Sequence, residues 1–132
     1  VVICPLIVLC YDMKRQLQEM GIRVTVIRSA STTYSLVYGN EVVIMVPEVA
    51  AAPSMFAILR RLDNEHLLGA ICCDEFHTYY TWSSIRPVML EILQRCRVFV
   101  RSPRLMYEAV FCLLITTTSF CYYNILSVLL LH

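Results

Sequence analysis

The sequence predicts an α/β domain built on a mostly parallel sheet, and two features of its apolar pattern carry that expectation. Four short apolar runs, at residues 1–9, 41–46, 70–73 and 111–115, are continuous rather than alternating. A strand with one wet face alternates apolar and polar side chains, whereas a continuous run suits a strand covered on both faces, as in a parallel sheet. Between these runs lie segments with helical periodicity. Strands that alternate with helices imply crossover connections and a layered α/β domain.

Taken in order, residues 1–9 read as the first strand. Residues 12–20 then place Met13, Leu17 and Met20 at helical spacing, with Gly21 as a natural stop. Residues 23–27 are a fifth, Val-rich strand candidate. Residues 54–62 begin with Ser54 as a helix cap after Pro53 and put Met55, Ile58, Leu59 and Leu62 on one face. Residues 87–94 open with Pro87 at the first helical position and continue with Met89, Leu90 and Leu93. The 132 residues suit one domain with a single core. There is no internal repeat and no low-complexity segment. With three Gly in all, the sequence holds no glycine-rich phosphate loop.

The composition is 58% hydrophobic and 16% charged, more apolar than a typical soluble domain at roughly half and a quarter. Most of the chain is expected to be buried, or part of it to meet a membrane or a partner. A net charge of +1 supplies no global attraction to nucleic acid. Arg95, Arg97, Arg101 and Arg104 nevertheless lie between Glu91 and Glu108 with no acid among them. They read either as a phosphate-binding patch or as a solvated face.

The seven Cys are odd in number, include no C-x-x-C pair and show no zinc-ligand spacing with His66, His77 or His132. They read as reduced thiols in an intracellular compartment. The apolar start lacks the basic region and cleavage site of a secretory signal. Without an initiator Met the chain reads as a fragment. Residues 109–131 carry no charge and are long enough to span a bilayer. The polar cluster of Thr116, Thr117, Thr118 and Ser119 in the middle favours a buried strand, a loop and an apolar tail instead.

The sharpest chemical feature is the run Ala70-Ile71-Cys72-Cys73-Asp74-Glu75-Phe76-His77. An apolar strand ends in two adjacent carboxylates. At the carboxyl end of a buried parallel strand, side chains emerge at the ligand crevice. One acid there can hold Mg²⁺ through water while the other positions or deprotonates a water nucleophile. The plainer reading is two solvated acids capping a strand.

The order of motifs resembles the RecQ-like branch of superfamily 2 (DEAD/DEAH-box type) DNA helicases over residues 1–118. Cys4-Pro5-Leu6 and Asp12-Met13, in the segment 1–22, are similar to that branch's motif Ia. Val46-Pro47-Glu48 resembles the "PE" before the Walker B strand, and Asp74-Glu75-Phe76-His77 resembles DEAH or DECH. Trp82 and Arg86-Pro87 resemble the aromatic-rich loop, and residues 114–118 resemble the "LTAT" of motif III.

The resemblance implies part of a RecA-like (P-loop NTPase type) three-layer domain and an ATP-dependent DNA helicase of intracellular, nuclear location if eukaryotic. It implies that Asp74 coordinates Mg²⁺, that Glu75 orients the attacking water and that His77 couples the nucleotide to motif III through Thr116 and Thr118. Pro5 and Leu6 would approach the DNA backbone, and Trp82 and Arg86 would sense single-stranded DNA. For Trp82 a partly buried core aromatic is the alternative.

Departures from the pattern bear on activity. Phe76 replaces a small residue, Thr117 replaces the Ala of TAT, the loop from Trp82 to Arg86 is one residue short, and residues 98–109 read as an insertion. Residues 119–132 form an apolar tail with no counterpart. The phosphate loop would precede Val1, and a second motor domain would follow His132. The expectation is therefore a helicase fragment, inactive alone, that needs the missing segments and binds ATP and Mg²⁺ only in the intact protein. The alternatives are a degenerate DNA- or protein-binding remnant and a small membrane-associated protein.

Overall fold

The structure, a computed structural model, describes residues 1–31, 34–96 and Phe99. Four parallel strands form one sheet: β1 (Val2–Ile3), β2 (Val24–Ile27), β3 (Val42–Met45) and β4 (Cys72–Cys73), in the order β2-β3-β1-β4. Helices α1 (Ile7–Glu19), α2 (Tyr34–Tyr38), α3 (Pro47–Ala51), α4 (Pro53–Asn64), α5 (Phe76–Thr81) and α6 (Val88–Cys96) complete the described residues. Among the described residues the protein is thus α/β with an all-parallel sheet. The expected strand at residues 111–115 and the tail at 119–132 lie outside the described residues.

The continuous apolar runs are explained by burial on two faces. Val42 and Ile44 join Val2, Cys4, Cys10, Met13, Leu17 and Val24 in one apolar cluster beneath α1. Val43 and Met45, one residue out of phase, join Ile3, Ile27, Val49, Met55, Leu59 and Met89 in the other cluster, beneath α3, α4 and α6. All four residues of β3 are buried, so a half-exposed alternating pattern could not have arisen there.

The first strand is shorter than its apolar run. Only Val2–Ile3 pairs as strand, and α1 begins at Ile7 rather than near residue 12. Pro5 has no N–H to continue a ladder. The apolar residues that follow it form the first turn of the helix, where Ile7 and Val8 remain exposed. Cys10, Met13 and Leu17, spaced by three and four, are the buried stripe.

The helix at 54–62 is longer than expected, running Pro53–Asn64, and its cap is Ala52 rather than Ser54. The Ser54 hydroxyl donates instead to the Ala30 carbonyl at 2.7 Å, tying α4 to the loop after β2. A second tie joins α2 to α4. The Tyr34 hydroxyl donates to Glu65, Arg61 Nε bonds the same carboxylate at 2.8 Å, and the Arg61 guanidinium sits 4.1 Å from the Tyr34 ring centroid.

The crossovers place the carboxyl ends of the strands together. From β1 the chain passes through α1 to β2 on one side, and from β3 it passes through α3 and α4 to β4 on the other. Register is set by paired residues: Val2 faces Ile44 and Cys72, and Ile3 faces Met45 and Cys73. Ile44 is fully buried where β3 meets β1. Ile44→Ala is expected to lower unfolding free energy by about 2–5 kcal/mol in urea titrations. A loss below ~1 kcal/mol, as for an exposed methyl group, would contradict this packing.

Candidate functional site at the carboxyl ends of the strands

Three motif-bearing segments converge because β1 pairs with both β3 and β4. Beyond the paired residues, the Cys4 amide donates to the Met45 carbonyl at 2.9 Å and the Asp74 amide donates to the Ile3 carbonyl at 2.9 Å. Pro5-Leu6, Val46-Pro47-Glu48 and Asp74-Glu75 therefore leave the sheet as neighbours. This is the edge at which open α/β sheets bind ligands.

Asp74 is the first residue after β4 and is half-buried. Its carboxylate lies near Cys4, whose thiol is pushed up first by a hydrogen bond to the Cys10 thiol, then by burial and by Asp74. The five described cysteines are free thiols, and Cys4, Cys10 and Cys73 are buried, where they pack as small hydrophobes.

Glu75 has a left-handed backbone, φ 49° and ψ 47°, at the N-cap of α5. A non-glycine residue held there costs on the order of 1–2 kcal/mol. Thr78 secures the conformation: its amide and its hydroxyl each donate to the Glu75 carbonyl at 2.8 Å. The strained bend turns the chain from β4 into α5 directly after the two carboxylates. His77 falls in the first turn of α5. Its side chain, and Thr116 and Thr118 altogether, lie outside the described residues.

Tyr79, which sequence reasoning passed over, is fully buried under this bend. Its hydroxyl donates to the Ile3 carbonyl at 3.0 Å, and burial pushes its ionisation far up, so it stays a neutral donor. Ile3 thus carries the backbone of Asp74 and the side chain of Tyr79 on one oxygen. Position 79, four residues after Glu75, was visible as an aromatic, but its partner lies 76 residues away.

Arg86 is the other organising side chain. Its Nε and Nη2 bond both Glu48 oxygens, with contacts at 2.9 and 2.7 Å, and its Nη1 donates to the Pro5 carbonyl. A planar guanidinium matches a carboxylate in this two-pronged way, which a lysine could not reproduce. One side chain thereby ties the loop after α5 to the ends of β1 and β3.

Glu48 was legible as part of the Pro-Glu pair, yet nothing in the sequence indicated its partner. Pro5 is buried and its carbonyl is engaged by Arg86, so Leu6, 44% exposed, is the surface residue of that pair. Trp82 is half-buried against the larger core, and its carbonyl accepts the Arg86 amide at 2.7 Å. The packing accommodates the core-aromatic reading while leaving the residue partly exposed.

Arg95, from the basic patch, bonds Glu91 at 2.6 Å and the Ala51 carbonyl at 2.6 Å. Here it serves helix packing. Arg97, Arg101 and Arg104 lie outside the described residues.

A complete nucleotide site is not assembled by these residues. Asp74 and Glu75 supply hard oxygens suited to a hydrated Mg²⁺, but among the described residues no three His, Cys, Asp or Glu side chains gather as a metal site. The sequence has no glycine-rich loop whose backbone amides could hold phosphates. A pocket of about 570 Å³ lies at the opposite, amino-terminal ends of the strands, lined by Val2, Val37, Val42, Leu62, Leu68 and neighbours, and contains none of the motif residues. Among the described residues no helix is long and apolar enough to cross a membrane. No protein-family model matches the chain, and no curated protein matches it.

The left-handed backbone at position 75 gives a direct test of strain. Glu75→Gly, which suffers no Cβ clash there, is expected to raise unfolding free energy by about 1 kcal/mol. A loss of about 1 kcal/mol by denaturant titration, the entropic cost of glycine alone, would mean that the bend is not strained.

Proposed function

We propose that this chain is the segment of a RecQ-like superfamily 2 helicase motor domain that faces nucleic acid and nucleotide, within a RecA-like fold. By itself it binds single-stranded DNA weakly and does not hydrolyse ATP. One observation carries the reading. The three segments that resemble motif Ia, the Pro-Glu pair and the Walker B strand leave one parallel sheet side by side, with the aromatic-rich loop tied to two of them by Arg86. Motifs that belong to one site must meet in space. These segments are separated by tens of residues in sequence and meet at a single edge.

In this reading the chain's own groups divide the work. Leu6 and the exposed part of Trp82 offer apolar surface to the sugar and bases, and Arg86 offers charge to a phosphodiester. Asp74 and Glu75 stand one strand away, where a bound Mg²⁺–nucleotide would present its phosphates in an intact motor. The phosphate cradle is not among these 132 residues, so no hydrolytic step is assigned to this chain.

A non-catalytic binding module is the second reading. Phe76 in place of a small residue favours it. ATPase assays separate the two from an autonomous enzyme. The chain is expected to show no DNA-stimulated ATP turnover, and turnover abolished by Glu75→Gln would overturn the proposal.

The single Trp provides the binding readout. Single-stranded oligothymidylate should quench Trp82 fluorescence with an affinity on the order of 10⁻⁵ M that weakens with salt. Salt-independent fluorescence with no binding would remove the nucleic-acid part of the reading.

A further inference from the structure

The guanidinium of Arg86 is not a free charge. Both Glu48 oxygens occupy the Nε and Nη2 side, the side that would otherwise grip a phosphodiester in the same two-pronged geometry. The remaining Nη1 donates to the Pro5 carbonyl, which fixes the group at the end of β1. The pair is accessible, since the Arg86 side chain is 25% exposed and that of Glu48 50% exposed. Half of the Glu48 side chain faces solvent, so another anion can reach the guanidinium by exchanging with the carboxylate.

We propose that Glu48 is a positioning residue that masks Arg86. A phosphodiester must displace its carboxylate to reach the guanidinium, and Glu48 thereby weakens single-strand binding at this edge and lowers its salt dependence. The inference rests on the nucleic-acid reading above. After Glu48 is displaced, the bond to Pro5 keeps Arg86 at the strand ends, so the loop is not released when the anion binds. A purely structural ion pair would predict the opposite result, because removing Glu48 would loosen the loop and impair binding.

The test is a double-mutant cycle on the full 132-residue chain, titrating labelled single-stranded oligothymidylate over a range of salt concentrations. Glu48→Gln, close in shape but uncharged, is expected to tighten binding roughly two- to fivefold at low salt. It should also steepen the slope of log affinity against log salt by about 0.7, one more phosphate contact. Glu48→Ala should move both quantities in the same direction, and Glu48→Asp, which keeps the charge, should stay near the wild type. In the Arg86→Ala background, Glu48→Gln should have no further effect on the slope.

Unchanged affinity and slope in both uncharged variants, or a steepening that persists without Arg86, would overturn the masking role while leaving the nucleic-acid reading standing. Failure of the wild type and of both uncharged variants to bind at low salt would overturn the nucleic-acid reading and the masking role with it.

Discussion

The structure depends on a strand of two residues. β1 sits in the middle of the sheet, hydrogen-bonded to β3 on one side and β4 on the other. Val2 points into the cluster beneath α1 and Ile3 into the cluster beneath α3, α4 and α6, both almost fully buried. Burying two such side chains contributes roughly 1.5–3 kcal/mol each, a large share of the marginal stability of a small domain. Leaving its carbonyls unpaired in that setting would cost about 1–3 kcal/mol apiece. Ile3 meets this demand twice over, through the Asp74 amide and the Tyr79 hydroxyl. The register that satisfies β1 also sets Pro5, Glu48 and Asp74 beside one another.

Around that register the site is organised by geometry more than by energy. The planar fork of Arg86 on Glu48 defines where the loop after α5 can lie. The bend at Glu75 works in the reverse sense. It costs stability, and the two bonds from Thr78 hold it in place. Strain next to a pair of carboxylates at a strand end suits a group that must be aimed rather than packed.

The fold class was legible because an apolar run without alternation demands cover on both faces of its strand. Val42–Met45 is buried on both faces, and no amphipathic pattern could have produced it. Boundaries were less legible. The apolar stretch from Leu6 to Leu9 resembles a strand in composition, and only Pro5 hints that the ladder ends there. Ser54 has the chemistry of a cap, but a carbonyl from the loop after β2 claimed its hydroxyl. At the site, Asp74 and Glu75 were readable from their place after an apolar run. The roles of Glu48 and Tyr79 were not. Each depends on a partner 38 or 76 residues distant, and one sequence carries no signal for such a pairing. The short helices α2, α3 and α5 escaped notice because five or six residues are too few for periodicity to show.

The ends of β1, β3 and β4 are locked in one register. Amide hydrogen exchange at Cys4 and Asp74 tests it most directly, because both donate across the sheet just beyond its last paired residues. If the register is fixed, both amides exchange only through global unfolding, with the same free energy as buried Ile44. Exchange at loop-like rates for either amide, while Ile44 stays protected, would show that the ends separate in the native state and would contradict the account.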